Sequence, residues 1–241
     1  MVGAHWAVLP HESLTMSAQI KERPILFSGA MVRALLDGSK TQTRRALRDQ
    51  VCSPAIMQMA GPGYAEIVNE HGVHIPGFTC PYGQPGDRLW VRETWLEDPE
   101  DDGTWHYTQY MGCKGSPLSD IPRKFQKPEH CIYREGWDGS DLRWRPSIHM
   151  PRWASRILLE VVSVRVERLQ GISDDDCRAE GISQCDGIAS AAHMIDLAGR
   201  MGGAPSIEAL TYAALWEAIN GLGSWDANPW VWVVEFKRAT P

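Results

Sequence analysis

The chain has no apolar run near the roughly 20 residues that a bilayer-spanning helix needs. Its opening stretch, MVGAHWAVLPHESLTMSAQIKERP, also lacks the basic start and continuous apolar segment of a secretory leader. Both absences predict a cytoplasmic protein with no membrane partner. The cysteines at 52, 80, 113, 131, 177 and 185 include no CxxC pair and show no framework spacing, so they read as reduced thiols. A G-x-S-x-G nucleophile elbow is missing, which sets aside that class of serine hydrolase. Ligand pairs at zinc spacing are missing too: His71 and His74 stand near Cys80 with no second pair, and read as loop residues. No metal or other cofactor is expected. Nor is there an excess of positive charge. A net charge of -6 argues against broad nucleic-acid affinity, which comes from neutralising many phosphates.

What is present suits a globular chain with a sizeable core, with 43% hydrophobic and 22% charged residues over 241 positions. Basic residues gather locally. Residues 33 to 48 hold Arg33, Lys40, Arg44, Arg45 and Arg48 against Asp37 alone, and 143-RWRPSIHMPRWASR-156 holds Arg143, Arg145, Arg152 and Arg156 with no acid. Such a surface fits one nucleotide or a short strand better than a long duplex.

Residues 1 to 15 read as an appendage ahead of Met16, within an N-terminal extension spanning 1–22. The remainder, 23–241, reads as one domain. Its pattern predicts a strand at 25–27, a helix over 30–38 closed by Gly38 with positive φ, a Gly- and Pro-rich stretch over 53–86, and a strand entered from Pro85-Gly86-Asp87. Residues 96–151 lack sustained periodicity and read as a large insertion with two short strands, in WHYTQY and CIYRE. Beyond it, 157-ILLEVVSVRVERL-169 predicts a long central strand, and 172-ISDDDCRAEGI-182 a short helix capped by Ser173 and ended by Gly181. Weak helix follows over 187–204, then an amphipathic helix over 206–220 and a final strand over 229–238. This order predicts an α+β fold, a small β-barrel, open or closed, with helices at its ends.

The stretch 36-LDGSKTQTRR-45 is too polar for a core strand and too rich in reactive groups for an ordinary loop. It is not a phosphate loop: Ser39 separates Gly38 from Lys40, and the segment leaves a helix instead of leading into one. Of the 11 tryptophans, Trp216, Trp230 and Trp232 lie on periodic apolar faces and read as core, while Trp144 and Trp153 lie in the arginine-rich run, where a base could stack on them.

Four segments taken in order, 34-ALLDGSKTQTRR-45, 85-PGDRLWVRETW-95, 172-ISDDDCRAEGI-182 and 230-WVWVVEFKR-238, with the long strand between the second and third, resemble the ASCH family of the PUA-like superfamily. They cover about half the chain. Some small bacterial members remove the acyl group from N4-acetylcytidine with a lysine, a threonine and a glutamate. The resemblance implies those roles for Lys40, Thr43 and Glu180. It implies a metal-independent amidohydrolase with a nucleoside as its small-molecule substrate. Arg44, Arg45, Trp144 and Trp153 are the substrate-binding candidates, with an internal salt bridge as the alternative for one of the arginines.

A lysine serves as base only when partly neutral, which means lowering its pKa by about three units, or roughly 4 kcal/mol. Burial and Arg44 and Arg45 act in that direction, and Glu180 against it. A second assignment keeps Lys40 protonated over the oxyanion and gives the proton to Glu180. In a regular strand Lys40 and Thr43 point to opposite faces, so a turn or bulge is expected between them. Two rival functions remain at this level: a reader of RNA or of a modified base that uses the 143–156 run, and a ribonuclease built on the same cluster. The oligomeric state is left open.

Overall fold

The computed structural model describes residues 19–50, 55–97, 118–139, 142–185, 187 and 189–239. Most of the N-terminal extension, the WHYTQY segment, Cys52 and Cys113 lie outside them. Five strands make a mixed sheet: β1 (Glu22–Leu26), β2 (Gln42–Ala46), β6 (Arg88–Arg92), β9 (Leu158–Arg168) and β10 (Trp230–Arg238), in the order β1-β6-β9-β10-β2. The β1–β6 pair is parallel and the others antiparallel. β9, rich in Val and Leu, lies inside the sheet as its composition predicts. It slips register against β10 between Glu235 and Phe236.

The sheet does not close into a barrel. Among the described residues no ladder joins the edge strands β1 and β2, yet the Arg45 side chain reaches across and donates 2.6 Å to the Leu26 carbonyl. A side chain bridges the seam where a ladder would have sealed it. This places the chain in the α+β class, with the two edges facing each other over a gap.

The Gly- and Pro-rich stretch holds more structure than its composition suggests. Strands β3 (Ile56–Gly61), β4 (Tyr64–Val68) and β5 (His74–Thr79) form a separate antiparallel sheet, with Gly63 at φ 67° in the first turn. In the insertion, β7 (Trp95–Glu97) pairs with β8 (Cys131–Tyr133), the CIY of the expected second strand. Trp95, Cys131, Tyr133, Met150 and Ala154 form a small core there, apart from the main one.

Helix α1 (Gly29–Asp37) ends at Gly38 with φ 83°, as expected. Helix α2 (Asp174–Ala179) has Ser173 and Asp176 in a reciprocal capping box, and three aspartates in its first turn complement the helix dipole. α3 (Ala191–Met201) and α4 (Ile207–Asn220) pack on one another. α4 departs from the amphipathic expectation, because Tyr212 through Glu217 are all buried. α3 covers one side of it and α2 another. Even Glu217 is enclosed, held by two bonds from Arg200, 3.1 and 2.9 Å, and one from the Gly223 N–H, 2.9 Å. Trp216, Trp230 and Trp232 are core residues, as their spacing predicts. Among the described residues no helix is long and apolar enough to cross a membrane.

Candidate active site

A cavity of about 150 Å³ opens at the seam. Its walls come from the end of β1 (Leu26, Phe27), from Lys40 and β2 (Thr43 to Ala46), from Glu180, and from Tyr212, Leu215 and Trp216 of α4. The three residues assigned chemistry by resemblance therefore border one space. Gly181 is what lets them meet. Its φ of 80° suits glycine, and a Cβ there would lie 2.7 Å from the Ala34 Cβ and 2.9 Å from the Lys40 Cβ. With no side chain in the way, the end of α2 lies directly on the strand entry. The Thr41 N–H donates 2.9 Å to the Ala179 carbonyl, and Lys40 and Glu180 form an isolated antiparallel bridge.

Lys40 Nζ donates 2.8 Å to the Glu180 carbonyl and 2.9 Å to Glu180 Oε2. It lies 5.5 Å from the centre of the Phe27 ring. Burial pushes the amine below its ordinary value of 10.5, with the Arg45 charge helping and Glu180 opposing. Two hydrogens satisfy both acceptors, so a neutral amine keeps both bonds and has its lone pair to spare. The Thr43 hydroxyl, on a residue only 4% exposed, has no hydrogen-bond partner among the described residues. The turn or bulge expected between the two does not appear: β2 pairs with β10 in unbroken register from Gln42 to Ala46 and the Thr41 carbonyl extends the ladder, while Lys40 bridges to Glu180.

Arg44 is not available to a ligand. Its side chain is 0% exposed, with Nη2 3.1 Å from both Glu167 Oε2 and Asp176 Oδ2, and Nη1 3.4 Å from Glu180 Oε1. It is the internal salt-bridge partner, and it holds Oε1 of the Glu180 carboxylate while Lys40 holds Oε2. Burial pushes the Asp176 carboxyl up, but Ser173 and the Arg44 charge bring it below its ordinary value. Arg45 does border the cavity, its guanidinium 5.3 Å from the Phe27 ring centre.

Edge position gives β2 a further property. The bonds Leu47 N–H to Trp230 C=O and Phe236 N–H to Thr41 C=O set the alternation, so odd-numbered residues face β10. The main-chain groups of Gln42 and Arg44 then point away from β10, toward the seam.

Trp144 and Trp153 are not brought to this cavity. Trp153 stacks edge-on against Trp95 at 5.5 Å, at the two ends of the insertion, and Trp144 against Trp137 at 6.2 Å within it. Three of the four arginines in the 143–156 run are paired with acids, while Arg143 is exposed: Arg145 bonds Glu97 at 2.6 Å, Arg152 bonds Glu22 at 2.7 Å, and Arg156 holds Glu93 at 2.9 and 2.8 Å. The insertion instead meets a neighbouring polar cavity of about 280 Å³, where Arg134, Glu135 and Ser147 face Glu93, Thr94 and Gly29. Phe27 and Ser28 border both spaces.

His71 and His74 sit exposed beside acids of their own hairpin, Glu70 and Glu66, while Cys80 is buried and its thiol pushed up to about 11 by desolvation. No group of metal-ligating side chains occurs among the described residues. Phe27, Tyr212 and Asp176 were not candidates from sequence. Tyr212 lies on an apolar-periodic helix, where nothing separates a core ring from one with a working hydroxyl. Compared with known protein families, curated proteins and solved structures, the chain gives no match.

Proposed function

We propose that the chain is an ASCH-type, PUA-like amidohydrolase that cleaves the N4-acyl amide of an N4-acylcytidine nucleoside. The observation that carries this reading is the buried Lys40–Glu180 pair bordering the same cavity as the unpartnered Thr43 hydroxyl. A hydroxyl needs a base beside it to attack an amide, and the depressed amine of Lys40 is suited to that task. Thr43 Oγ1 adds to the acyl carbon, its proton passing to Lys40. The C–N4 bond then breaks as the proton returns to N4, freeing cytidine, and water releases the carboxylic acid from Thr43.

Cavity size supports the same reading. A void of about 150 Å³ takes a benzene-sized ring, room for the acyl amide end of the base but not for a whole nucleoside. Leu215, Trp216 and Met31 supply apolar walls for it.

Incubating the purified protein with N4-acetylcytidine, and in parallel with a short single-stranded RNA, tests the reading. We expect stoichiometric cytidine and acetate with no strand cleavage. RNA cleavage or tight RNA binding without cytidine release would refute it.

A further inference from the structure

Tyr212 lines the cavity and is 3% exposed, yet among the described residues its hydroxyl has no hydrogen-bond partner. Its oxygen is not one of the enclosed side-chain atoms left without a partner among the described residues, so the hydroxyl is open to the cavity. Its ring is fixed by neighbours, with Trp216 and Trp225 each 6.4 Å away centre to centre. The phenol is thus held in place and left vacant at its polar end. Across the same space stands the free edge of β2, where the Arg44 N–H follows Thr43 directly in the chain.

We propose that Tyr212 is a further catalytic residue, donating its hydroxyl hydrogen to the acyl carbonyl oxygen of the substrate as that oxygen becomes an oxyanion, with the Arg44 N–H as second donor. This rests on the amidohydrolase reading and adds the group that stabilises charge in it. When Thr43 Oγ1 bonds to the acyl carbon, the carbonyl π pair moves onto oxygen. The two donors stabilise that charge without transferring a proton, and the pair returns to carbon as the C–N4 bond breaks. Burial pushes the phenol well above its ordinary value of 10, with the Glu180 charge adding to the push, so the donor keeps its hydrogen through the neutral range. α4 lies outside the four segments that carry the family resemblance.

The test compares wild type with Tyr212→Phe for N4-acetylcytidine turnover and thermal midpoint. Losing one oxyanion donor typically lowers kcat by about 100- to 1,000-fold. We expect at least the lower figure, with KM changed less than about threefold and the midpoint unchanged or raised, because the hydroxyl makes no internal bond. Wild-type turnover retained in full by Tyr212→Phe overturns the assignment and leaves the amidohydrolase reading standing. A loss of kcat accompanied by a fallen midpoint assigns Tyr212 a structural role and also overturns it. No turnover by either chain overturns both.

Discussion

Lys40 and Glu180, 140 residues apart in sequence, meet at one amine that is bonded to both the main chain and the side chain of the same glutamate. The main-chain bond survives any change in the carboxylate's charge. Position and proton affinity of the amine are therefore set by separate groups, and can be perturbed separately.

On the proposed reading, in which Lys40 acts when neutral, turnover should rise with pH along a limb that lies below 10.5, since burial lowers its pKa. Glu180→Gln removes the charge that raises that pKa, so the limb should move to lower pH while kcat falls about a hundredfold. A kcat/KM profile of both chains reads this out. A falling limb in wild type would instead make protonated Lys40 the working form.

Stability carries the same sign. With its folded value lowered, the native chain binds fewer protons at Lys40 than the unfolded chain between that value and 10.5, so stability rises with pH across the window. The gap in unfolding free energy between wild type and Lys40→Met should widen in favour of wild type as pH rises toward 10.5. Urea melts at a series of pH values measure it.

Thr43→Val keeps the shape and removes a hydroxyl that has no internal partner among the described residues. Stability should change by less than about 1 kcal/mol. Activity should fall at least a hundredfold, whereas Thr43→Ser should retain turnover within about tenfold, consistent with a nucleophile that needs only its oxygen.

Arg44→Met takes one cation from three carboxylates at once, those of Glu167, Asp176 and Glu180. Breaking a buried pair from one side costs about 3–5 kcal/mol, and a loss in that range is expected at neutral pH. It should shrink in acid, where the orphaned carboxylates take up protons.

Trp153→Ala should cost about 1–3 kcal/mol, since the half-buried ring loses its burial and its contact with Trp95. Neither it nor Trp144→Ala should alter the ratio of kcat/KM between N4-acetyl and N4-benzoyl cytidine, as both rings pack on other tryptophans away from the cavity. A changed ratio in Trp144→Ala would bring that ring to the substrate.

Much of this was legible in the sequence where local chemistry decides conformation. Gly38, Ser173 and Gly181 announce where helices start and stop, because capping and positive φ are local requirements. β9 announces itself by composition. The roles of Arg44 and Arg45 were not separable there, since which of two adjacent arginines is enclosed depends on where α2 docks. The 143–156 run looked like a basic surface because its partners Glu22, Glu93 and Glu97 lie far away in the chain. The β3–β5 sheet was hidden by the glycines and prolines of its turns.

The unsealed seam between β1 and β2 also bears on engineering. Edge strands are where a designer seeking thermostability would add hydrogen bonds, and a ladder between these two would raise the melting temperature. The same ladder would consume the main-chain groups of Gln42 and Arg44 and fill the space beside Thr43. Variants selected here for heat resistance alone should therefore lose the activity proposed for this site as they gain robustness, with the Arg45 bridge to Leu26 the first contact to be replaced.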